Sequence, residues 1–126
     1  MADSIGEFAF NHTGNAYAKN DDDVVVAYAN YEGTATGFGT VMGTLAFPLS
    51  EQGATSGTVT WTGQGFPPDR PAYTSFGEGT WDQVEGSYAW KINLPNIEFS
   101  DETGSLRAEG VVDLEAKTFN GQMFEA

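Results

Sequence analysis

The chain has no cysteine, so disulfides and thiolate metal sites are excluded. Basic residues are scarce: five Lys and Arg stand against eighteen Asp and Glu, a formal net charge of −13. A field of that sign repels phosphate backbones and anionic lipid, so neither nucleic acid nor a membrane surface is expected as a partner. One histidine is present, His12, in the polar stretch Asn11 to Gly14, read as an exposed loop. Without a histidine cluster, a zinc or iron site is not expected. Long hydrophobic runs are missing as well. The longest, Val24 to Ala29, is far too short to cross a bilayer. The opening Met1-Ala2-Asp3-Ser4 is acidic and no apolar core follows it, so the expected location is the cytoplasm. Serine-nucleophile signatures and dinucleotide fingerprints are absent. Gly37-Phe38-Gly39 and Gly63-Gln64-Gly65 are glycine pairs with no helix after them, so neither cradles phosphate and no cofactor is expected.

What the chain does have is β-alternation, from Tyr28 to Phe124, punctuated by Gly-Thr pairs and spiked with aromatics. Its 126 residues suffice for one domain with a core of its own. Ile5 to Phe10 reads as a short opening strand and Asn11 to Asp23 as turn chemistry. Val24 to Tyr31 is a β-branched and aromatic strand, Glu32-Gly33 a turn, and Thr34 to Phe47 a long strand curved by its glycines. Strands follow over Gly57 to Phe66, Tyr73 to Gln83, Gly86 to Leu94, Ser105 to Leu114 and Lys117 to Glu125. Pro95-Asn96 marks a turn or bulge, with Ile97 to Ser100 continuing the strand. Pro67 to Pro71 is a stiff loop, because proline removes ladder donors. Seven or eight strands joined by short turns pair antiparallel with their neighbours. The expected fold is all-β, an up-and-down barrel of about eight strands, with a β-sandwich as the alternative that patterning does not exclude.

Function has to be sought in what lines the interior. The candidate ligand-binding residues are Phe38, Trp61, Phe76, Trp81, Trp90 and Phe119, with Phe47, Phe66 and Tyr88 also read as interior. They fill a core on one reading and line a pocket for a hydrophobic or aromatic small molecule on the other. Sixteen glycines bring no side-chain volume, which favours room inside. Arg70, in the proline loop, either lids the barrel mouth and steers an anionic group or pairs with a surface acid.

The candidate catalytic set is Glu78 with Tyr73 or Tyr88. Phe76, Glu78, Thr80 and Asp82 share one strand face; Tyr73, Ser75, Gly77, Gly79 and Trp81 share the other. If Phe76 faces inward, Glu78 is a buried carboxylate able to move protons. If Trp81 faces inward, Glu78 is a solvated acid, the cheaper arrangement. An enzyme built this way would be a cofactor-independent isomerase, cyclase or lyase. Asp21-Asp22-Asp23 and Asp101-Glu102 lack the spacing of a calcium loop and read as solvated turns. The scattered acids read as a solubility device, with a cationic partner as the sharper alternative. Val24-Val25-Val26, apolar on both faces, raises a third expectation, a homo-oligomeric interaction module.

Gly77-Glu78-Gly79-Thr80-Trp81, the strand Tyr88 to Ile92 and the hairpin Leu106 to Phe124 resemble the calycin-like and allene-oxide-cyclase-like small barrels in architecture. A lipocalin Gly-x-Trp stands near the amino end, whereas Gly79-Thr80-Trp81 comes late in this chain. The resemblance implies an axial pocket for a small apolar molecule, in some members with isomerase or cyclase activity. It carries over no catalytic residue.

Overall fold

A computed structural model describes residues 4–100 and 104–125. Eight strands follow in chain order: β1 (Gly6–Lys19), β2 (Val25–Ala35), β3 (Gly39–Pro48), β4 (Ser56–Phe66), β5 (Tyr73–Gln83), β6 (Ala89–Phe99), β7 (Ser105–Asp113) and β8 (Thr118–Glu125). Each pairs antiparallel with the next, and β8 returns to β1 through Gly6↔Met123 to Asn11↔Thr118. The result is a closed up-and-down barrel, the architecture that period-two alternation and short turns imply. Closure removes every sheet edge. The resemblance to calycin-like barrels holds at this architectural level.

Two of the expected boundaries are corrected. β1 does not stop at Phe10 but runs to Lys19, pairing with β2 through Lys19↔Val25 and slipping once between His12 and Gly14. Glu32-Gly33 is not a turn. β2 continues to Ala35, and Gly33 sits so close to the Ala9 carbonyl of β1 that a Cβ there would overlap it. The turn comes at residues 36–38 instead, where Gly37 and Gly39 adopt φ of +80° and +71°, the left-handed region open to glycine. Pro95-Asn96 is a bulge inside β6, as the pattern suggested. Asp101-Glu102 lies outside the described residues.

Alternation sets the faces. Phe8, Phe10, Tyr31, Leu45, Val59, Trp61, Ile92, Leu94, Val112 and Phe119 form a buried axial core. At a full burial of about 2 kcal/mol each, these rings and branched chains are the main stabilising term. Ring contacts tie them together: Phe10 stacks on Trp61 at 5.7 Å and 9°, and Phe8 meets Phe119 edge-on at 4.9 Å. The interior glycines do not leave the room that their small size suggested. Trp61 lies across Gly43 and Gly63, Tyr73 across Gly65, and Trp81 across its cross-strand partner Gly57. Glycine here is the flat bed on which a ring rests.

Polar residues occupy the outer wall: Thr58, Thr60, Thr62, Thr74, Glu78, Asn93, Glu109, Asn120 and Gln122 alternate with the core positions. Among the described residues no helix is long and apolar enough to cross a membrane. The outward Val26 is 6% exposed in the single chain. Val25, beside it, is 37% exposed.

Candidate functional site: an open cup at one end of the barrel

The two ends of the barrel differ. At the end holding the starts of β1, β3, β5 and β7, Phe38, Tyr73 and Phe99 close the bore. Phe38 stacks on Phe99 at 5.2 Å and 15°, and Tyr73 meets both rings edge-on at 5.8 and 5.5 Å. The proline loop folds under them. Arg70 Nη1 donates to the Gly37 carbonyl at 3.3 Å, and its guanidinium stands 5.6 Å from the ring centres of both Phe38 and Tyr73. Asp69 is 3.5 Å away. Between this stack and the core remains an apolar gap of about 60 Å³. That is well under the roughly 150 Å³ that holds a benzene.

The opposite end is open. A cup of about 940 Å³ descends from the mouth to the core, at the upper end of the roughly 300–1,000 Å³ typical of small-molecule sites. Tyr31, Phe47, Trp81 and Trp90 give it aromatic faces, and Ala27 and Ala29 give it width. Tyr17, Leu49, Tyr88 and Leu114 rise around the rim with large exposed apolar surfaces. Four of the exposed large hydrophobic residues of the protein thus border one opening, the kind of clustering that marks a binding site rather than scatter.

Polar groups enter on one wall. Nε2 of His12 lies 2.6 Å from Oδ1 of Asn15, whose amide nitrogen donates to the Tyr17 hydroxyl at 3.0 Å. This places His12 within the site, on a strand, not in an exposed loop. Its ring is 5.4 Å from that of Tyr31. Burial pushes the Tyr31 phenol up from 10.0 to about 12, so it stays neutral at ordinary pH. Gln83, Glu51, Asp113 and Lys117 complete the polar lining. Asp113 is engaged: Oδ1 accepts from the Glu115 and Ala116 amides at 3.0 Å each, holding the β7–β8 turn.

Trp81 stands apart from the other buried donors. Trp61 Nε1 donates to Ser75 Oγ at 3.0 Å. Trp81 Nε1 is buried with no hydrogen-bond partner, 2.7 Å from where a Cβ on Gly57 would stand.

Of the residues expected from sequence, the cup brings together Trp81, Trp90 and Tyr88. Trp61 and Phe119 belong to the packed core beneath it, and Phe38, Tyr73 and Arg70 to the closed end. Phe76 and Glu78 do not line the interior at all. Phe76 is 45% exposed, and Glu78 lies beside it on the outer wall opposite Thr60. The physical reason is the face that β5 turns inward, carrying Tyr73, Gly77, Gly79 and Trp81 and no charge. Phe66, also read as interior, is exposed. Glu78, Tyr73 and Tyr88 consequently lie on the outer wall, at the closed end and at the rim, and form no acid–base pair. Phe47, read as interior, lines the cup as well, whereas Tyr31, His12 and Asn15 were not singled out as ligand residues. Tyr31 sits on the inward register of Ala27 and Ala29, the one signal that could have found it. Among the described residues no three His, Asp or Glu side chains gather as a metal site. Comparison of the chain with protein-family models, curated proteins and solved structures returned no match.

Proposed function

We propose that the protein binds a small molecule with an apolar or aromatic body in the open cup, without chemistry on it. One observation carries this reading: an opening of about 940 Å³ at one end of an otherwise packed barrel. Core side chains elsewhere interlock, with the four largest fully buried ones, Phe119, Leu45, Leu94 and Val59, below the cup. A fold under selection for stability alone gains from filling such a space. The lining suits a flat ligand, since ring faces stack and a few polar groups orient. Catalysis finds less support, because the interior carboxylate it required is on the outer wall.

A neutral fluorescent dye, Nile red, tests the proposal. Saturable one-to-one binding with a blue-shifted dye emission is expected, together with a change in tryptophan emission through Trp81 and Trp90. Ala29→Phe places a ring in the cup and should abolish uptake while circular dichroism stays native. Dye bound equally well by Ala29→Phe contradicts the reading. Ser56→Trp, at the exposed rim of the same cup, serves as a second obstruction should Ala29→Phe not fold.

A further inference from the structure

Strand register sets two residues side by side at the floor of the cup. His12 of β1 and Tyr31 of β2 are cross-strand partners, and both line the cup. Each is the deepest lining residue on its strand; the next inward residue of β1, Phe10, already belongs to the packed core. Tyr31 is 3% exposed, and among the described residues no hydrogen bond engages its hydroxyl. Unlike Trp81 Nε1, that hydroxyl is not sealed from the cavity. With its pKa pushed up to about 12 by burial, the phenol keeps a proton to donate. His12 is already engaged, since Nε2 lies 2.6 Å from Oδ1 of Asn15. An amide oxygen only accepts, so Nε2 holds the proton of the neutral ring and Nδ1 is an acceptor. At this depth Tyr31 is the donor left without a partner.

The rim is the reverse. Tyr17, Leu49, Tyr88 and Leu114 present large apolar surfaces around the mouth. An apolar body pressed onto the floor would strip water from the Tyr31 hydroxyl and return nothing, which weakens binding. An occupant with an oxygen at its buried end meets the hydroxyl instead. Its apolar remainder then lies against Phe47, Trp90 and the rim. Charge narrows the kind of oxygen. Glu51 and Asp113 stand against one Lys117 in the lining, on a chain of net charge −13, which disfavours an anion.

Resting on the cup as the binding site, we propose that Tyr31 selects the ligand. That ligand is a neutral molecule with an apolar or aromatic body and an oxygen acceptor, a carbonyl or hydroxyl, at one end. It binds oxygen first, with that oxygen accepting from the Tyr31 hydroxyl.

Three probes of similar shape test this: 1-ethylnaphthalene without oxygen, 1-acetylnaphthalene with a carbonyl at the same carbon, and 1-naphthoate with a carboxylate. Titration calorimetry at pH 8 compares the native protein with Tyr31→Phe, which keeps the ring and removes only the hydroxyl. The affinity ratio of the acetyl over the ethyl probe should fall about three- to tenfold in Tyr31→Phe, the range of one net hydrogen bond. The native protein should bind 1-naphthoate more weakly than 1-acetylnaphthalene. Nuclear Overhauser effects should connect the acetyl methyl to the ring protons of Tyr31 and His12, and the naphthalene protons to those of Phe47 and Trp90. An unchanged ratio overturns the assignment of Tyr31. Tighter binding of 1-naphthoate overturns the neutral oxygen, and an acetyl methyl beside Phe47 or Trp90 overturns the orientation. If 1-ethylnaphthalene, 1-acetylnaphthalene and Nile red all fail to bind, it is the cup as a binding site that fails.

Discussion

Alkaline pH should weaken the protein through Tyr31. Its ring is 3% exposed in the floor of the cup, 5.4 Å from the His12 ring and 5.6 Å from Phe119. Burial disfavours the phenolate, so the folded-state pKa stands at about 12 against an ordinary 10.0. Below pH 10 the phenol is neutral in folded and unfolded chains alike, and its contribution is fully present. Between 10 and 12 the unfolded chain ionises while the folded one does not, so that contribution is lost as pH rises through the folded pKa. Two units at about 1.4 kcal/mol each make the total loss about 2.8 kcal/mol, of which about 1.4 kcal/mol has gone by pH 11. Against a typical stability of 5–15 kcal/mol, roughly, that is a readable fraction. Urea unfolding at pH 8, 9, 10 and 11, for the native chain and for Tyr31→Phe, isolates the effect, because every other titrating group is shared. The difference between the two proteins should change by about 1.4 kcal/mol from pH 8 to pH 11, to the disadvantage of the native chain. Parallel profiles would refute the claim that this phenol is buried and neutral.

Leu45→Ala empties a position that is 0% exposed; urea unfolding should register a loss of about 2–5 kcal/mol. Gly43→Ala sets a methyl against the indole of Trp61, so calorimetric melting should show a marked fall in Tm, whereas Gly53→Ala, with open space around it but φ of +74°, should cost about 1 kcal/mol by urea unfolding. Phe76→Ser and Glu78→Gln alter the outer wall alone; both should leave Nile red affinity within twofold of the native value, and a loss of binding would place the site on the wrong face of β5.

The later strands were legible because their inward residues are apolar and their outward ones polar. Tyr73 to Gln83 was delimited to the residue, and the shared faces of Val59 with Trp61 and of Trp90, Ile92 and Leu94 were read correctly, whereas Tyr88, read as interior, is 71% exposed at the rim. β1 beyond Phe10 was not legible, because its residues there show no apolar alternation. Its inward residues His12 and Asn15 are themselves polar and line the cup, so the apolar signal that identifies a strand vanishes where the site begins. Glu32-Gly33 carried the composition of a turn, yet Gly33 is there for the close passage of β1. Glycine count misled in the same way: small residues suggested hollowness, but which of them carry a ring from the neighbouring strand depends on register, which composition does not contain. The choice of inward face on β5 was accessible in principle, since one face held Glu78 and the other held no charge.

The location of the site is tested most directly by nuclear magnetic resonance, following backbone amides and the three indole N–H signals while neutral 1-ethylnaphthalene is added. The account predicts saturable shifts at Ala27, Ala29, Tyr31, Gly57 and Trp90 and at the Trp81 indole, with the Trp61 indole and the outer-wall run Met42, Phe66 and Phe76 unmoved. Shifts confined to that outer wall, or none at saturating probe, would contradict it.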